Sequence, residues 1–222
     1  MRNSLIASIL MIFVLSSCEK KEPFVYEYET NPQYSKGYVD FWGPVYLTEY
    51  GIDNNVLSLY AFTDSLGVDD DNQLKGFGQY LLLDDIFVSP NDTLFPEGVY
   101  QVSNSADAFT IAPGEEYEVD DVKYDVGALI YFIEQNDSYS IRKFIIGGTM
   151  TVTRINEYTR FEFDFILDDE TELKGKYIQK DLIYYDESQI NQGVLRQRAK
   201  SPLNPVKVFA PEKLKARPQY KG

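Results

Sequence analysis

Histidine is absent from all 222 residues. With it go the Ser-His-Asp and Cys-His nucleophile systems, histidine acid–base catalysis and histidine metal sites. Cysteine occurs once, at Cys18, and tryptophan once, at Trp42. A lone cysteine forms no disulfide within the chain and assembles no thiolate cluster. Basic residues are scarce through the body of the chain: residues 24–185 hold 10 Lys and Arg against 30 Asp and Glu. A surface of that sign repels phosphate backbones, which excludes nucleic-acid binding. Long amphipathic helical patterns are missing too.

The position of the single cysteine is informative. Met1-Arg2-Asn3-Ser4 is a short basic start, followed by the apolar run LIASILMIFVL from Leu5 to Leu15. That run would span roughly 16 Å as a helix, too short for a hydrocarbon core of about 30 Å, and has the length of a signal-peptide core. Leu15-Ser16-Ser17-Cys18 resembles the lipobox of bacterial lipoproteins, whose cysteine is acylated and becomes the mature N-terminus. The resemblance implies a signal peptide at 1–17, a lipid on Cys18, and a linker at 18–23. A diacylglycerol with an N-acyl chain exceeds the two signals that stable anchoring needs. Glu19 stands where inner-membrane lipoproteins keep Asp, so the expected address is the outer membrane. The run Glu19-Lys20-Lys21-Glu22 leaves the periplasmic face and the cell surface both open.

What the chain has in quantity is aromatic and β-branched residues, including 18 Tyr and 14 Phe. Short runs of these, punctuated by Gly, Pro, Asn and Asp, fill residues 24–185 and predict an all-β domain, either a single antiparallel β-sandwich or a calycin-like barrel. Strands are expected at Phe24–Thr30, Lys36–Trp42, Val45–Tyr50, Asn55–Thr63, Lys75–Leu83, Gly98–Ser103, Ala128–Gln135, Tyr139–Ile146, Thr149–Ile155, Tyr158–Leu167 and Glu172–Lys180. In Phe161-Glu162-Phe163-Asp164-Phe165 the aromatics share one face and the acids the other. Pairing Leu167 with Leu173 would set Phe163 opposite Tyr177 and Asp164 opposite Lys176.

The segments Gly148-Thr149-Met150-Thr151-Val152-Thr153, Tyr158–Leu167 and Leu173-Lys174-Gly175-Lys176-Tyr177 resemble a C-terminal pattern of uncharacterised Bacteroidetes lipoprotein domains. Leu81-Leu82-Leu83-Asp84 and Phe95-Pro96-Glu97-Gly98-Val99-Tyr100 are similar to the strand and turn that precede it. The resemblance covers about a third of the chain and implies an envelope β-domain, with no functional residues to carry over. Residues 186–222 differ in character, with recurrent proline and 8 Lys and Arg against 3 acids. This basic tail is expected to be an extended segment, either disordered or laid along the acidic domain, and is a candidate contact for a protein partner.

Three groups of residues carry candidate chemistry. Tyr38, Asp40 and Trp42 alternate along one predicted strand and could make an aromatic-plus-carboxylate platform for a glycan. The acidic runs Asp69-Asp70-Asp71-Asn72 and Glu115–Asp121 are the densest oxygen clusters, with Asp69, Asp71, Glu116 and Glu118 as candidate weak Ca²⁺ ligands. Asp69-x-Asp71-x-Gln73 begins like an EF-hand loop but lacks its glycine and closing glutamate, and a solvated acidic turn is the plainer reading. The doublets Asp84-Asp85, Asp120-Asp121 and Asp168-Asp169 supply carboxylates for a glycan hydrolase, although neighbours on a regular strand face opposite ways. The expectation is non-catalytic binding at the cell envelope, possible ligands being glycans. The alternatives are a carboxylate-dependent hydrolase and a structural component of an envelope complex. Cys18→Ala should give a protein that incorporates no labelled fatty acid and no longer sediments with membranes.

Overall fold

The strand Tyr158–Leu167, YTRFEFDFIL, is exposed and buried in strict alternation from Phe161 onward: Phe161, Phe163, Phe165 and Leu167 face inward, while Glu162, Asp164 and Ile166 face water. The same period, repeated along the chain, builds one curved sheet. The computed structural model describes residues 29–68, 74–119, 122–133 and 139–188. Cys18, residues 24–28 of the first expected strand, Asp69, Asp71 and the tail beyond residue 188 lie outside the described residues.

In order, the elements are β1 (Gln33–Gly43), α1 (Leu47–Tyr50), β2 (Asn55–Thr63), β3 (Leu66–Val68), β4 (Leu74–Gly76), β5 (Gly78–Val88), β6 (Gly98–Val102) and β7 (Thr110–Ile111). Then follow β8 (Glu115–Val119), β9 (Val122–Val126), β10 (Ala128–Ile133), β11 (Tyr139–Ile155), β12 (Tyr158–Leu167), β13 (Glu172–Gln179) and β14 (Tyr184–Asp186). The strands β11-β12-β13-β1-β2-β5 are hydrogen-bonded in that order, and the ring is closed on the remaining side by β10 at one end and by β7 and β6 at the other. The protein is an all-β, eight-strand closed barrel, the calycin-like alternative rather than the sandwich. Closure leaves the main sheet without the bare edges that invite aggregation.

The lumen is packed with rings. Phe95 meets Phe161 edge-on at 5.2 Å, Phe161 stacks on Tyr177 at 5.7 Å, and Tyr34 meets Phe163 edge-on at 5.7 Å. Leu57, Leu59, Leu81, Leu83, Ile130 and Met150 fill the space between them. Burial pushes the phenols of Tyr34 and Tyr177 far above their ordinary pKa, so both stay protonated.

Several expectations are corrected. Val45–Tyr50 is not a strand: Gly43 has φ +64, and Gly51, with φ +71, returns its N–H to the Leu47 carbonyl. Left-handed glycines on both sides, with Pro44 behind the first, frame a single helical turn despite its β-prone letters. The runs Tyr139–Ile146 and Thr149–Ile155 form one strand, β11, and Gly147-Gly148 marks a bulge against β12 rather than a turn. Gly148 has φ +98, and a Cβ there would strike the Asp164 carbonyl. At this point β11 changes neighbours, from β10 through Phe144 to β6 from Thr149. Strands β3, β7, β8, β9 and β14 were not anticipated, and β5 runs on to Val88.

The β12–β13 hairpin forms with the expected faces but a register two residues tighter. Phe161 opposes Tyr177, Phe163 opposes Gly175, and Asp164 opposes Lys174 rather than Lys176. The reason is the turn. Leu167 N–H bonds to the Thr171 carbonyl at 2.9 Å and Glu170 sits at φ +66, so residues 168–170 form a three-residue loop. Lys143 reaches Asp169 at 2.8 Å and holds its carboxyl down at about 2.

Phe163 is 3% exposed in the barrel core, so Phe163→Ala should cost about 3–5 kcal/mol in denaturant unfolding. Asp164, paired with Lys174 only at 3.9 Å in open solvent, should leave the midpoint essentially unchanged when replaced by alanine.

Candidate functional site

Tyr38, Asp40 and Trp42 share the outer face of β1, as strand alternation requires, but they do not form an open platform. They are 3%, 3% and 8% exposed. Trp42 Nε1 donates to Ser58 Oγ at 2.8 Å, and Ser58 Oγ donates to Asp84 Oδ1 at 2.8 Å. Tyr38 stacks face to face on Tyr60 at 4.4 Å. The stack continues from Tyr60 to Tyr80 at 6.5 Å and from Tyr80 to Tyr131 at 6.1 Å, crossing β1, β2, β5 and β10. Tyr185 of β14 closes against Tyr38 edge-on at 5.6 Å. Burial first, with Asp40, Tyr38 and Asp84 adding, raises the Tyr60 phenol well above its usual value, and burial does the same for Tyr80. Tyr60 and Tyr80 stay neutral, and the rings together make a second packed layer outside the barrel, in which Tyr38, Tyr80 and Tyr131 are closed to a sugar.

The same layer corrects the reading of the Asp84-Asp85 doublet. Opposite Ser58, β5 carries a bulge, and Asp85 sits at φ +58. Asp84 bonds to Ser58, while Asp85 accepts from the Tyr46 hydroxyl at 2.5 Å, and Tyr46 packs in one cluster with Trp42 and Phe87. Both carboxylates therefore lie on the outer side, because a bulge suspends the alternation that a regular strand imposes. Hydrogen-bonded and enclosed, they tie α1 and β2 to β5.

The second acidic run is not a loop. Glu116 and Glu118 lie in β8, which pairs antiparallel with β9 so that Glu116 opposes Asp125 and Glu118 opposes Lys123. Glu116 is ion-paired with Arg142 at 3.4 Å, and the same guanidinium bonds to Asp125 while lying 4.7 Å over the Phe144 ring. The charge met by Glu116 and Asp125 is the chain's own arginine. Among the described residues no three His, Cys, Asp or Glu side chains converge as a metal site.

Among the described residues an open cleft lies elsewhere, at the barrel end where β11 turns into β12 and β13 leads to β14. A cleft of about 430 Å³ is lined there by Arg154, Asn156, Glu157 and Tyr158 from the hairpin and by Lys180 and Asp181 beyond β13. Leu94, Thr159, Leu182 and Tyr184 complete it. The volume falls within the range of small-ligand sites. Asn156, at φ +58, makes the tight turn that brings Tyr158 back opposite Ile155. Arg154 is fixed in place: Nη2 donates to the Phe95 carbonyl at 3.1 Å, and its backbone N–H donates to Glu97 at 2.5 Å. Tyr184 accepts from Phe95 N–H at 3.2 Å, and burial raises its phenol. Lys180 and Glu157 pair at 2.9 Å. Tyr158 and Leu94 present faces that are 43% and 48% exposed.

None of these cleft residues stood out in the sequence as a site. Arg154, Asn156 and Tyr158 read there only as hairpin grammar, and Lys180–Tyr184 as the end of the domain. Comparison with protein-family models, with curated proteins and with solved structures returns no match.

Ser58→Ala removes both the acceptor for Trp42 and the donor to Asp84. It should lower stability by about 1–3 kcal/mol in chemical denaturation, and should leave ligand binding at the barrel-end cleft unaltered.

Proposed function

We propose that this chain is a lipid-anchored lipoprotein of the outer membrane whose barrel-end cleft binds a glycan without turning it over. The observation that carries the reading is the make-up of that cleft. An exposed tyrosine face stands beside an anchored arginine, an asparagine amide and two carboxylates. A pyranose has an apolar face and a rim of hydroxyls. Tyr158 matches the first, and Arg154, Asn156, Glu157 and Asp181 supply planar donors and acceptors for the second. The binding role inferred for Trp42, Tyr38 and Asp40 thus passes to a different set of residues with the same chemistry.

The cleft carboxylates favour binding over hydrolysis. The Glu157 side chain is 59% exposed and paired with Lys180, and Asp181 is exposed. A general acid needs desolvation or a close second carboxylate to hold its proton near neutral pH. The lipid anchor rests on the Leu15-Ser16-Ser17-Cys18 motif, and the outer-membrane address on Glu19.

The test is a panel of polysaccharides and oligosaccharides presented to the acylated protein and read by thermal shift and titration calorimetry. A glycan ligand should bind, and Tyr158→Ala should weaken it about tenfold, the equivalent of ~1.4 kcal/mol of lost stacking. Turnover of a panel member that disappears in Glu157→Gln or Asp181→Asn would replace this reading with that of a hydrolase.

A further inference from the structure

We propose that the ligand of the barrel-end cleft is an acidic glycan, whose sugar carries a carboxylate that pairs with Arg154. This rests on the glycan reading of the cleft given above, and names the class of sugar that the cleft takes.

The charges of the cleft are not all spent. Glu157 and Lys180 neutralise each other at 2.9 Å. Arg154 and Asp181 remain, and neither makes an ion pair among the described residues. The other described arginines behave differently: Arg142 meets Glu116 and Asp125, and Arg160 meets Glu162. In a chain with 35 Asp and Glu against 21 Lys and Arg, an arginine without a carboxylate is the exception.

Arg154 is also held still. Glu97 binds its backbone N–H, and Nη2 donates to the Phe95 carbonyl at 3.1 Å. Phe95 is itself fixed, fully buried and with its N–H on the Tyr184 hydroxyl at 3.2 Å. The bond that orients the guanidinium goes to a neutral carbonyl, so it leaves the positive charge uncompensated. Burial raises the phenols of Tyr100 and Tyr184, and the charge of Arg154 works against that rise in both. A long side chain immobilised before its ligand arrives loses less entropy on binding. The planar group it presents matches a carboxylate through two parallel N–H bonds.

The rest of the cleft fits the rest of a hexuronic acid. Such a sugar projects its carboxylate from the ring edge and leaves an apolar ring face to lie on Tyr158. Asp181 accepts from neighbouring hydroxyls, and the Asn156 amide both donates and accepts. A neutral sugar would leave the guanidinium to water. The acidity of the barrel does not forbid an anion here. Residues 24–185 hold 10 Lys and Arg against 30 Asp and Glu, but in the cleft lining Arg154 and Lys180 balance Glu157 and Asp181. Physiological salt screens exposed charges beyond about 8 Å, so the local balance governs approach.

Calorimetry on the full-length protein tests the assignment. Oligomers of galacturonate, glucuronate, mannuronate and guluronate are each titrated beside their methyl esters. Neutral oligosaccharides, a sulfated oligosaccharide and oligoglutamate are the further arms. At least one uronate should bind about tenfold more tightly than its ester. Arg154→Gln should bring that ratio close to one, and Arg154→Lys, which keeps the charge without the planar fork, should restore part of it. Tyr158→Ala should weaken acid and ester alike and leave the ratio in place. Equal binding of every uronate and its ester, an Arg154→Gln variant that weakens both equally, or preference for a neutral glycan would overturn the acidic ligand and leave the glycan reading standing. Tightest binding of the sulfated oligosaccharide or of oligoglutamate would overturn it too, and give Arg154 to a sulfate ester or an acidic peptide. Failure of every sugar to bind would remove the glycan reading, and this inference with it.

Discussion

Closure of the sheet is the constraint on which the rest of this structure depends. A ring of strands has an inside that must be filled and an outside that is free to vary. The inside is settled by seven buried rings, those of Tyr34, Phe95, Tyr100, Phe161, Phe163, Phe165 and Tyr177, with aliphatic side chains between them. Two long strands make closure possible. β11 and β5 each change partner part-way, giving one side to β10 at the end that holds the β12–β13 turn and to β6 or β7 at the cleft end. Without those changes the ring would stay open on one side. The lumen, once filled, is unavailable to a ligand, and the proposed binding falls to an end of the barrel.

The outside of the barrel is divided in function. Across β1, β2, β5 and β10 it carries the tyrosine stack and the Trp42–Ser58–Asp84 chain of hydrogen bonds, and this side is as well packed as a core. Across β11, β12 and β13 it carries threonine, glutamate, aspartate and lysine in cross-strand rows, and this side is wet. One wall is thus closed under a second packed layer while the other is left open to water. The cleft opens at the rim of the wet wall, where side chains are free to meet a ligand. Asp84 and Asp85 on the packed side are held by Ser58 and Tyr46, while Glu162, Asp169 and Glu172 on the wet side meet arginine or lysine.

What could be read in the sequence was whatever depended on neighbours two residues apart. The faces of Phe161, Phe163 and Phe165 follow from the letters alone, and so does the grouping of Tyr38, Asp40 and Trp42 on one side of β1. Whether that side was wet did not, because its cover comes from residues 46, 60, 80 and 185, distant in the chain. Register went astray by two residues because a left-handed Glu170 is not written in the alternation of the flanking strands. The Gly147-Gly148 pair read as a break when it was a bulge, since glycine serves both and only the partner strand decides. The cleft was illegible for a stronger reason: it exists only where β14 returns to β1, across more than 140 residues of chain.

That return has a temporal meaning. The seam of the barrel is parallel pairing between the first strand and the last two, with Tyr34 beside Tyr177 and Val39 beside Tyr184. A polypeptide made N-terminus first holds β1 ready long before its partners arrive. Until residue 186 is made, one flank of β1 has nothing to pair with, and the ring cannot shut. Non-local pairings of this kind are slow to form and leave unpaired edges exposed while they wait. The architecture therefore makes completion of the fold wait on its last strands, and makes that interval the time at which this chain is most open to chaperones and proteases.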